Sequence, residues 1–161
     1  MRSALFVAVV LLVSCYTMSC VSTDLTEQQK EVILAFEEVY ESYKTNFILD
    51  DAQIYTVLEG DTLSAIIRRI YGADNGYFFP LIILASWDVI SDIDDLEPDM
   101  VLKIPDLRKN LEAPDTRQAL KNFLQDIADV YEKKEAAETQ EHKKQLAADL
   151  KNRLRNQADS L

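Results

Sequence analysis

The side chains that could do chemistry are few in kind and unevenly placed. Asp92, Asp94, Asp95, Glu97 and Asp99 crowd one short stretch. Paired carboxylates are the equipment of a glycoside hydrolase, and dense hard oxygens that of a calcium site. The stretch has no Gly at the turn position of an EF-hand loop and no spaced terminal Glu, and nothing in the sequence builds a cleft around it. It reads as a solvated acidic loop. The one histidine, His142, sits among Glu141, Lys143 and Lys144 and reads as a surface residue, so no Ser–His–Asp set can be built on it. The only cysteines are Cys15 and Cys20. A zinc site of Cys and His, or a Cys–His nucleophile pair in the folded part, is excluded by count. These exclusions predict a protein that is not an enzyme, with no metal and no cofactor. The 161 residues carry a net charge of −11, which opposes a phosphate backbone and argues against nucleic acid as a partner.

Both cysteines follow an apolar run, Ser3 to Val13, that begins after Met1 and Arg2. Its length and positive start are those of an export signal. Leu12-Val13-Ser14-Cys15 resembles the lipobox of bacterial lipoproteins, with an aliphatic residue at −3 and a small one at −1. Thr17-Met18-Ser19-Cys20 is a weaker second match. The resemblance implies that residues 1–20 hold a lipoprotein signal peptide, cut before Cys15 or Cys20. It implies that this Cys carries acyl chains such as palmitate, and that the mature protein is lipid-anchored in the periplasm or cell envelope. An uncleaved membrane helix over Ser3–Val21, a plain secretory signal and a Cys15–Cys20 disulfide are the alternatives.

Hydrophobic periodicity divides the rest of the chain. Residues 21–53, read on to Ile54, form one amphipathic helix: Val32, Phe36, Val39, Tyr40, Tyr43 and Phe47 recur at helical spacing between charged residues, behind Thr23, Asp24 or Thr26 as N-cap. Residues 108–161 read as two helices. The first bears Leu120, Phe123, Leu124, Ile127, Val130 and Tyr131, with Asp115 or Thr116 to cap it after Pro114. The second bears Leu146, Leu150 and Leu154. The break falls near Lys134–Thr139 without Gly or Pro, so one continuous helix stays open. Each stripe lacks a partner within its own segment, which predicts that the helices pack together.

Residues 54–107 differ, holding all three Gly and three of the four Pro. Ile54 to Leu58 alternates and reads as a strand. Gly60 suits a turn, and Asp61 is placed to cap a helix by accepting from the Ser64 amide. Leu63, Ile66, Ile67 and Ile70 share one helix face, and Gly72 ends that helix. Pro80 opens a second helix, apolar all round, and Val101 to Ile104 is a second strand closed by Pro105.

Tyr55-Thr56-Val57, Gly60-Asp61-Thr62-Leu63, Tyr71-Gly72 and Leu102-Lys103-Ile104-Pro105 together resemble the LysM domain. The resemblance implies an α+β fold: a small βααβ module, flanked here by the N-terminal helix and a C-terminal helical hairpin. It also implies binding of peptidoglycan or a chitin-like glycan without catalysis. The groove would lie between Gly60, Asp61, Thr62 and Leu63 and a second loop of Ser86, Trp87, Asp88, Val89, Ile90 and Ser91. Trp87 could stack on a sugar or seal the second helix. Two residues depart from the pattern: Ser86 stands where many members have Asn, and Asp99 follows Pro98 in place of Gly. The further partners expected are a membrane, through the acyl chains, and in an alternative reading an envelope protein recruited by the helices.

Overall fold

In the computed structural model the described residues are 25–90 and 96–161. Cys15 and Cys20, expected from the sequence as acylation sites, Ser91 of the second loop, and Asp92, Asp94 and Asp95 lie outside them. The first helix, α1, is Glu27–Tyr43. Thr26 opens it with a capping box: its hydroxyl accepts from the Gln29 amide, and the Gln29 side chain accepts from the Thr26 amide. The helix stops at Tyr43, short of the expected Ile54. Thr45 and Asn46 are weak helix formers, and the chain turns there, with the Asn46 amide donating to the Tyr43 carbonyl. The turn swings Phe47 into the core, where its ring lies 5.4 Å from that of Phe123.

Strand β1, Gln53–Thr56, pairs antiparallel with β2, Val101–Ile104, with Tyr55 opposite Leu102. Two further bonds join Val57 to Met100 and Asp99 beyond the strand ends. Between the strands run α2, Leu63–Tyr71, a six-residue 3-10 helix at Ala73–Phe78, and α3, Phe79–Ala85. Along β2, Leu102 and Ile104 are buried while Val101 and Lys103 are exposed, so one face of the sheet is covered. Gly72 ends α2 at φ 92°, a left-handed value that favours glycine, and Pro80 lies in the first turn of α3. Six of the seven residues of α3 are buried, in keeping with its all-round apolar sequence.

The C-terminal part holds three helices, where two were expected. Helix α4, Leu107–Glu112, is capped by Asp106, and α5, Pro114–Ala137, follows after one residue. Neither Asp115 nor Thr116 caps α5: Pro114 takes its first turn, and the Thr116 hydroxyl donates to the Asn110 and Ala113 carbonyls. Helix α6 is Glu141–Asp159. The break before it needs neither Gly nor Pro, because Glu138 turns its carboxylate onto the amides of Thr139 and Gln140. The Gln140 and Thr139 N–H groups hold that carboxyl below its usual range.

α5 and α6 run antiparallel, with Arg155 bonded to Asp129 and Glu132 and Lys151 to Glu135. Residues of α1, the β-sheet, α2, α3, α4, α5 and α6 share one core cluster, among them Tyr40, Leu102, Ile66, Leu81, Leu107, Phe123 and Leu154. The stripes of α1, α5 and α6 therefore bury against one another and against the β-containing part, except that Leu146, read into the α6 stripe, faces solvent while Ala147 takes the buried place beside it.

Asp99 is the one non-glycine residue with positive φ among those described, at 70°. A side chain in this region carries strain of about 1–2 kcal/mol, less for Asp than for bulkier residues. Asp99→Gly should therefore raise stability by about 0.5–1 kcal/mol, after offsetting the extra freedom glycine gives the unfolded chain. A denaturant midpoint that stays put or falls would refute the strain.

Candidate functional site

The first loop singled out by the motif leaves β1 at the end of the sheet formed by Thr56 and Val101, and the second is fixed beside Lys103 of β2. Each spends its polar side chains on its own construction. In the first, Gly60 turns the chain at φ 81°. Asp61 does not cap α2. The cap is Thr62, one residue later, whose hydroxyl accepts from the Ala65 amide at 3.2 Å. Asp61 instead accepts from the Tyr55 hydroxyl (2.5 Å) and the Leu58 amide (3.0 Å), while Arg69 donates to its other oxygen at 3.0 Å. Arg69 also donates to the Tyr55 hydroxyl at 2.8 Å. Tyr55, the Leu58 amide and Arg69 together hold the Asp61 carboxyl below its usual range, and the carboxylate in turn raises the Tyr55 hydroxyl. This network ties β1 to the last turns of α2. Leu63 points into the core.

In the second loop Ser86 is fully buried. Its hydroxyl accepts from the Lys103 amide at 2.8 Å and donates to the Lys103 carbonyl at 3.2 Å. It thus anchors the end of α3 to β2, and its carbonyl receives the Val89 and Ile90 amides. Ile90 is buried, and Asp88 pairs with Lys103 at 3.2 Å. Trp87 stacks on Tyr40 of α1, with ring centroids 4.6 Å apart. Val89 packs against the core from a partly buried position. Most of the described loop residues are thus fixed by internal contacts.

A second feature was not signalled by the motif. At the other end of the sheet a cleft of about 460 Å³ opens between β1, the end of α2, and α4. Ile70, Tyr71, Ile104 and Leu111 contribute apolar surface, and the Tyr71 hydroxyl is tied to the Pro105 carbonyl at 2.7 Å. Burial, and then the nearby Asp106 carboxylate, raise the Tyr71 hydroxyl above its usual range. Gln53, Asn75, Asp51, Asp106 and Glu112 bring side-chain oxygens, and Arg108 and Arg117 bring positive charge. Asn75 donates its amide nitrogen to the Tyr71 carbonyl at 2.7 Å, so the oxygen is what it can offer a ligand. Asp51 is engaged by Lys109, and Glu112 by Arg108. Among the described residues no group of three or more His, Cys, Asp or Glu side chains is gathered so as to hold a metal ion. The signal that could have located this cleft was weak: polar residues scattered over four segments, each unremarkable alone.

No family model matches the chain. No solved structure matches it. It is similar to a protein of Escherichia coli O6:H1 named Potassium binding protein Kbp, 34% identical over 89 residues. The match takes in 51% of this chain and 58% of that protein, so the chain spans little more than half of the relative's length. This likeness to a protein named for potassium overturns the functional reading drawn from the motif. Neither peptidoglycan binding nor the alternative of an envelope adaptor stands as the function. The physical reason lies in the loops themselves: Gly60, Thr62, Leu63, Ser86 and Ile90 serve turn, cap, core and strand anchor. Such a pattern reports how a module folds, and its ligand is a separate matter.

Proposed function

We propose that this chain is a non-catalytic binding protein for a monovalent cation of the potassium class, built on a LysM-like module at residues 54–107 and held to a membrane by acylation at Cys15 or Cys20. The observation that carries the ligand is the 34% identity to a protein named for potassium binding. The net charge of −11 supports a cation over an anion. Potassium is held by oxygens that replace its hydration shell, neutral carbonyls among them. A cluster of carboxylates is therefore not required. The cleft beside α4 offers neutral amide oxygens from Gln53 and Asn75, with Asp51 and Asp106 beside them.

The test is unfolding in potassium, sodium and choline chloride at equal ionic strength, so that screening is constant. A ligand bound by the folded state alone adds about 2.7 kcal/mol at a hundred times its dissociation constant. Potassium should raise the midpoint above both other salts. Equal midpoints in all three would sink the reading. Gln53→Ala combined with Asn75→Ala should weaken the potassium effect severalfold. An unchanged effect would remove the cleft as the site and leave the ligand standing.

A further inference from the structure

We infer that the start of α1 and the end of α5 form a face that rests on the lipid bilayer, an inference that depends on the acyl anchor proposed above. Leu25, Val32, Ile33, Phe36 and Ala137 line an apolar groove of about 190 Å³ there. Leu25 remains 47% exposed, Ile33 44% and, one position further round the helix, Leu34 62%. Large side chains left in water this way, close together and beside a groove, mark a contact surface.

The occupant follows from the chain that enters this face. Leu25 is five residues from Cys20 and ten from Cys15. An extended chain covers at most about 3.3–3.6 Å per residue, so the groove lies within about 18 Å or 36 Å of an acylated sulfur. A surface held that close to a bilayer meets lipid at high effective concentration. The charges around the groove are balanced, Lys134 with Glu138 at its rim and Lys30 paired with Glu27 nearby, which suits a zwitterionic headgroup level where long basic side chains keep their heads in water. A soluble partner would have no comparable tether.

The test uses the full chain, isolated with its acyl groups and reconstituted in phosphatidylcholine vesicles carrying a diazirine in the acyl chain. Flotation is measured first, then lipid adducts after illumination and tryptic digestion. The peptide Glu31–Lys44 carries Ile33, Leu34 and Phe36. The peptide Gln145–Lys151 carries Leu146 of α6, itself 48% exposed, and sets the background. Adducts on Glu31–Lys44 should exceed those on Gln145–Lys151 about tenfold. Ile33→Glu with Leu34→Glu should remove most of them without changing flotation. A chain that floats with the two peptides labelled equally overturns this inference alone, and the groove then belongs to another occupant. A chain that does not float overturns the anchor and this inference together.

Discussion

Phe123→Ala is expected to lower the free energy of unfolding by about 4 kcal/mol, the middle of the range for truncating a buried aromatic. Phe123 is fully buried on α5. Its ring lies 5.0 Å from Tyr43, 5.4 Å from Phe47 and 5.6 Å from Tyr40. It thus receives α1, and the turn after α1, onto α5. Removing it opens a cavity that three aromatic neighbours cannot close without moving. Tyr40 also carries Trp87 by stacking, and Trp87 is the only tryptophan. Its emission therefore reports the loss directly in a denaturant melt. The slope of free energy against denaturant should hold while the midpoint falls. A loss below about 1 kcal/mol would mean that α1 does not depend on this contact, against the fully buried position of the ring.

The parts of the fold that could be read from the sequence are those set by local chemistry. Gly72 and Pro80 punctuate the helices where their backbone preferences require it, and the alternation around Tyr55 gives a strand. The stripe from Leu120 to Tyr131 is core, as its spacing implies. What could not be read depends on tertiary contact. Phe47 continues the helical periodicity of α1, yet reaches the core from a turn, because Phe123 receives it there. The exchange of roles between Asp61 and Thr62 is a shift of one residue, and it turns on Arg69 and Tyr55, which only the folded chain brings together. The boundary at Glu138 uses a side-chain carboxylate where Gly or Pro would have been visible. For the candidate site, the motif singled out two loops whose residues serve the fold, and the glycan it implied is overturned by the likeness to a protein named for potassium. The cleft beside α4 draws its oxygens from separated segments and had no sequence pattern at all.

Asn110 is the clearest residue of that kind, and it supports the second large prediction. In a segment of charged and aliphatic residues an asparagine reads as surface, but Asn110 is fully buried. Its side-chain oxygen accepts from the Ile48 amide at 2.9 Å, and its nitrogen donates to the carbonyls of Ile48 (3.1 Å) and Asp106 (3.0 Å). One side chain thus pairs both main-chain groups of Ile48, as a neighbouring strand would, and pins the link between α1 and β1 to α4. Asn110→Ala removes all three bonds and leaves the Ile48 N–H and C=O without that partner. Ile48 is itself partly exposed, so water replaces some of what is lost, and at about 1–3 kcal/mol for an unsatisfied buried group the expected loss is about 2 kcal/mol. Asn110→Asp separates bonding from packing. Ionised, it keeps the acceptor but turns a negative charge toward two carbonyls, so folding raises the pKa of the introduced carboxyl. A carboxyl with a raised folded-state pKa binds its proton more tightly in the native state, so acid favours folding of this variant relative to wild type. The deficit of Asn110→Asp against wild type should therefore shrink as pH falls from the raised native-state pKa to the ordinary carboxylate value and level off below it, while that of Asn110→Ala stays constant. Parallel pH profiles for the two variants would show that the shape of Asn110 matters and its hydrogen bonds to Ile48 do not.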